Sequence, residues 1–142
     1  MRCDHFDAGT CHSCSLLPQP YERQLAEKVD AVVAALAHVP GSQEIRWLSP
    51  ASSPEEGFRT SVKLVVGGSR RRPTLGILGP DRRGVDLPGC PIQHPAINRA
   101  TPGLKRFIRS LSLTPYDVPT KRGELKNILV TVGAGEHLMI RF

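Results

Sequence analysis

Aromatic residues are scarce in this sequence. Four Phe, two Tyr and one Trp make up 5% of its 142 residues. So few rings exclude a broad platform on which successive bases could stack. No apolar run approaches the roughly 20 residues that a bilayer-spanning helix requires. The opening residues, MRCDHFD, are polar and acidic, without the apolar stretch of a secretory leader. There is no Walker loop, no G-x-S-x-G and no H-E-x-x-H, so three common catalytic signatures are missing. ILVTVGAGEH imitates the start of a dinucleotide site. However, Leu138 stands where the third glycine belongs, and no helix can follow before Phe142, so a hairpin turn is the reading. Internal repeats and low-complexity tracts are also missing. Together these absences point to the cytoplasm, where thiols stay reduced and no membrane partner is expected.

What is present suits one folded domain. Hydrophobic residues make up 39% and charged residues 23%. The net charge of +6 favours an anionic partner, most often nucleic acid. The basic residues gather in Arg70–Arg72, in Arg82 and Arg83, in Lys105, Arg106 and Arg109, and in Lys121, Arg122 and Lys126. Each alone reads as a solvated charge. Together they argue for phosphate contact, which positions a protein without reading sequence. Arg59, Lys63, Arg122 and Lys126 are the candidate nucleic-acid-facing residues, chosen on charge and position, and composition does not separate RNA from DNA.

Periodicity predicts an α+β fold: a mostly antiparallel sheet, two helices and an N-terminal cysteine-rich segment. The first helix lies in PQPYERQLAEKVDAVVAALAHVPG, with Leu25, Val29, Val32, Val33 and Leu36 as its apolar stripe. Pro20 suits its start, and Pro40 with Gly41 stops it. IRWLSP, GFRTSVKLVVGG and TLGILG read as an antiparallel meander, with Val62, Leu64 and Val66 on one face of the middle strand. PDRRGVDLPGCP reads as a loop. A second helix is expected through PGLKRFIRSLSL, burying Leu104, Phe107, Ile108 and Leu111. LKNILVTV and HLMIRF read as a closing hairpin. The chain halts at Phe142 inside an apolar run, so a C-terminal truncation is expected.

Three of the four cysteines, Cys3, Cys11 and Cys14, fall within fourteen residues, and Cys90 stands alone downstream. A C-x-x-C pair lets two thiolates reach one ion from a tight turn, and four thiolates meet the demand of tetrahedral zinc or of a cubane cluster. Pro91 after Cys90 leans toward iron–sulfur, as does the lack of a second C-x-x-C knuckle. With four thiols at hand, His12 reads as a solvated loop residue. Asp4 and Asp7 read the same way. A centre at these thiols would pin residues 1–18 onto residues 86–95, with residues 19–142 supplying the helix and sheet.

CDHFDAGTCHSC, GFRTSVKLVV, CPIQHP, LTPYDVPTKRGELKNILVT and the closing MIRF, in this order, resemble bacterial RNA (uracil-C5)-methyltransferases, and most of all the branch acting on 23S ribosomal RNA. The resemblance runs along essentially the whole chain. It implies a [4Fe-4S] cluster on Cys3, Cys11, Cys14 and Cys90, within a sheet domain that helps hold RNA. It also implies a further Rossmann-like domain, absent from these residues, that binds S-adenosylmethionine and supplies the attacking cysteine and the base. The expectation is therefore a monomeric, cluster-bearing, 23S rRNA-binding part of a methyltransferase, inactive alone and with no DNA partner. The alternative is a stand-alone metal-containing (Fe–S or zinc) RNA-binding protein without enzymatic activity.

Overall fold

The computed structural model describes residues 1–142. The chain enters through α1 (Asp4–Asp7) and α2 (Tyr21–Leu36), then runs through β1 (Ser61–Gly68), β2 (Pro73–Leu78) and β3 (Gly84–Asp86). After α3 (Pro95–Ser110) it closes with β4 (Asn127–Val132) and β5 (Leu138–Arg141). All five strands form one antiparallel sheet in the order β3-β2-β1-β4-β5. The fold is therefore α+β. No helix is long and apolar enough to cross a membrane.

Alternation on β1 decides which face is covered. Val62, Leu64 and Val66 are buried, whereas Ser61 and Lys63 are exposed. On the same covered face β2 adds Leu75, and β4 adds Ile128 and Val130. The helix α3 lies against them with Ile97, Leu104 and Ile108. Residues at these helical spacings share one stripe. Ile97, Ile108, Ile128 and Val130 are wholly enclosed, and a core position of this kind is worth roughly 2–5 kcal/mol against truncation to Ala.

Four expectations need correction. IRWLSP forms no strand, and Leu48 within it is 75% exposed. The third strand of the meander is β3 instead, inside the stretch read as a loop. It is short, and its pairing is set by Gly76 opposite Asp86, a brevity that leaves no periodic signal. The helix α2 forms as expected but buries nothing, and Val32 is half exposed. The helix α3 starts at Pro95 rather than Pro102. The ring Nδ1 of His94 accepts from the Ala96 N–H and caps it, with proline in the first turn. Leu104 and Ile108 are buried as expected, but Phe107 and Leu111 stay exposed, and Phe107 packs on Phe142 with ring centroids 5.1 Å apart.

Candidate functional site

The cysteine-rich segment folds on itself before it meets the sheet. Cys3, in extended conformation at the start of α1, accepts through its carbonyl from the N–H groups of Phe6 and Asp7. Thr10 and Cys11 then both donate their N–H to the His5 carbonyl. This reversal carries Cys11 and Cys14 back toward Cys3. Cys90 is fixed from the other side. Its carbonyl accepts from Gln93 N–H and from Asn98 Nδ2 on α3. His5 joins the two segments, its Nε2 lying 2.7 Å from the Pro88 carbonyl.

All four thiols line one cavity of about 50 Å³, with Phe6, Ile77, Leu87 and Ile92 among its apolar walls. None is disulfide-bonded. Burial pushes the Cys14 thiol up from its ordinary value, and the charges of Cys11 and Cys3 add to this while Arg59 opposes it. Burial also pushes Cys90 up, against hydrogen bonds from the Ile92 and Gln93 backbone. The structure draws no three Cys, His, Asp or Glu side chains together tightly enough to enclose one metal ion. His12 stacks edge-on against Phe6, with centroids 5.6 Å apart. Asp4 and Asp7 flank the exposed Arg2.

The four candidate RNA-facing residues occupy different places. Arg59 lines the thiol cavity, its backbone clamped between the Ile92 carbonyl and the His94 N–H. Lys63 stands on the open face of β1, opposite Leu129. Arg122 lies in the α3–β4 loop, its carbonyl accepting from Asp117 N–H. Lys126 carries its ammonium 4.3 Å from the centre of the Tyr116 ring, a cation–π contact. Only the last two share a neighbourhood. Sequence reasoning missed the contributions of His5 and Asn98, because a bond to a distant carbonyl leaves no local pattern.

The 23S rRNA (uracil(747)-C(5))-methyltransferase RlmC of Yersinia pestis (strain Pestoides F) is 44% identical to this chain over 144 aligned positions, covering 100% of the chain and 37% of that protein. The protein of the same name from Halothiobacillus neapolitanus is 42% identical over 142 positions, covering 99% of the chain and 36% of its own length. The chain thus spans little more than a third of these curated relatives. Among solved structures, a Pyrococcus abyssi tRNA (uracil-54, C5)-methyltransferase bound to S-adenosyl-L-homocysteine superposes with a TM-score of 0.72. That match covers 92% of this chain and 30% of the other, at 21% identity, and speaks for the fold alone. No protein-family model matches the chain. Identity above 40% from end to end makes the whole chain similar to the matched third of these RNA (uracil-C5)-methyltransferases.

Proposed function

We propose that this chain is the cluster-bearing, RNA-holding part of an S-adenosylmethionine-dependent 23S rRNA (uracil-C5)-methyltransferase. One conjunction carries the reading: similarity along the whole chain to about a third of the proteins of that name, in a chain whose four cysteines line one cavity. The donor set suits a [4Fe-4S] cluster, which takes one thiolate per iron. Pro91 directly after Cys90 and the single C-x-x-C knuckle favour the cluster over a lone zinc.

Cys3, Cys11, Cys14 and Cys90 would hold the cluster. Once bound, it would supply a covalent tie between residues 1–18 and residues 86–95 rather than a step of methyl transfer. The remaining work belongs to the chain itself. The apolar walls cover Cys3 and partly cover the other three cysteines, Asn98 and Gln93 fix the Cys90 turn, and the basic surface supplies phosphate contacts. A target uracil has to leave its stack to be modified, so gripping the flanking strand is the contribution assigned to these residues. The catalytic residues and the S-adenosylmethionine site would lie in the remainder of the enzyme, and this chain alone would be inactive.

Anaerobic expression followed by iron, zinc and acid-labile sulfide analysis tests the reading. About four irons and four sulfides per chain are expected in brown protein. Colourless protein with one stoichiometric zinc would overturn the cluster assignment.

A further inference from the structure

A second concavity lies away from the thiols, where the β2–β3 turn faces the α3–β4 loop. It encloses about 250 Å³. Its floor is Gly67, Gly68 and Gly84, and its walls carry Arg82, Arg83 and Tyr116. The floor is bare by necessity. A Cβ on Gly67 would lie 2.6 Å from the Gly84 Cα, so the two backbones touch where side chains would otherwise fill the trough.

Both walls are held rigidly. On one side, Tyr116 N–H donates to the Leu125 carbonyl and Asp117 N–H to the Arg122 carbonyl. Thr114 is tied to the Glu124 carboxylate and to Arg70 Nε. Lys126 sits over the Tyr116 ring without lining the trough itself. On the other side, Gly79 and Arg83 close the turn with a 2.7 Å bond, and Arg83 N–H donates to Asp81 Oδ1. Arg82 takes φ +61°, in the left-handed region that glycine and asparagine favour. The fold keeps a long basic side chain at a position where sterics disfavour one, a mark of functional sites.

The arginines form no internal ion pair, although, after the hydrogen bonds from Thr120, the charge of Arg83 also helps hold the Asp117 carboxyl below its ordinary value. Neither Arg82 nor Arg83 has a carboxylate within ion-pair distance. Asp117, the acid on the rim, turns its carboxylate to the Thr120 N–H and hydroxyl, at 3.0 and 2.6 Å. Exposed backbone and the two arginines that line the trough suit a tetrahedral dianion or a phosphodiester. The geometry points to this trough as the seat of one backbone phosphate of a single-stranded RNA segment, gripped by Arg82 and Arg83. This inference rests on the proposed RNA-holding role and adds the place where the strand is held.

The test compares three forms of the 142-residue chain binding a fluorescent single-stranded uridine oligonucleotide across a salt series. The forms are wild type, Arg82→Asn with Arg83→Gln, and Lys28→Gln with Arg46→Gln as an equal charge change elsewhere. The trough variant is expected to bind about 10-fold more weakly and to lose about 0.7 from the slope of log K against log salt, the value for one phosphate on a single strand. Its melting temperature should match or exceed wild type, because asparagine accepts the left-handed backbone. The control variant should lose clearly less affinity. Wild type that fails to bind RNA would remove the RNA-holding role and the trough with it. Salt-dependent binding by wild type, left unchanged in the trough variant or weakened equally in the control, would overturn the trough alone.

Discussion

Lys105 Nζ stands 2.6 Å from Asp86 Oδ2, so one ion pair fastens α3 to the edge strand β3. The pair is mostly shielded, with side chains 22% and 33% exposed. Asp86 works twice, because its Oδ1 also accepts from the Leu75 N–H. The short strand β3 leads directly to the Cys90 turn, so this contact helps set where Cys90 sits. Exposed pairs contribute about 0–1 kcal/mol and loss of one partner from a buried pair costs about 3–5. Asp86→Ala is expected between these limits, at about 2 kcal/mol, and Lys105→Met at about 1. Urea denaturation of both single variants and the double variant measures the coupling. A coupling energy near zero would show that the contact does not hold α3 in place.

Two glycines should respond to alanine with opposite signs. At Gly67 the new methyl would meet backbone, which cannot swing aside. Overpacking of that kind costs about 1–3 kcal/mol. At Gly103, inside α3, the nearest obstacle is the flexible tip of Arg106 at 3.8 Å. There alanine should stabilise by about 0.5–1 kcal/mol, the helix-interior difference between the two residues. Denaturation midpoints decide the matter, and a destabilised Gly103→Ala would mean that α3 needs glycine for a reason other than propensity.

The sequence made β1, the β4–β5 hairpin and α2 readable because each carries an uninterrupted period. What it hid was partnership. The stripe on α2 has the right spacing, yet nothing packs over Val32 and Val33 in this chain. The helix is tied mainly through Tyr21 to Ser53 and Gln24 to Leu16 and Gln19. In α3 the true start was hidden. The apolar stripe begins only at Leu104, whereas the helix begins at Pro95, with proline in its first turn and His94 as its cap. The cysteine spacing pointed to one shared centre; the four cysteines line one cavity, but no three of them close on one ion. Charge alone did not reveal which arginines face a concavity. That depended on Gly67 and Gly84 touching across strands β1 and β3.

Acid should loosen the α3–β4 loop. Hydrogen bonds from the Thr114 N–H, then from its hydroxyl, hold the Glu124 carboxyl below its ordinary range, and Arg70 contributes. A carboxyl depressed in the folded state stabilises above its unfolded pKa and stops doing so as pH falls through its folded value. Glu124→Gln should therefore melt lower than wild type at neutral pH, and the gap should close as pH drops below about 4.3. Thermal melts across that range measure it. A gap constant with pH would assign the effect to shape rather than charge.

The N-terminal segment has little to hold it apart from its thiols. Cys3 is the only buried residue among the first eighteen. The ties across to the body are the bond between His5 and Pro88, the ion pair of the N-terminus with Glu55, and the contact of Gln24 with Leu16. Ordering a chain segment costs about 1–2 kcal/mol per residue, more than these exposed contacts return. Filling the cysteine site would convert four independent thiols into a closed loop, so the ordering of this segment should be linked to loading. Amide hydrogen exchange in residues 1–18 and 86–95 is therefore expected to be slow in iron-loaded protein and fast after chelation, while β1 and β4 stay protected in both states. Substituting Cys90→Ser should reproduce the chelated pattern even in the presence of iron. Equal protection of residues 1–18 before and after chelation would show that the segment is held by the protein alone, and the tethering role of the four thiols would fall.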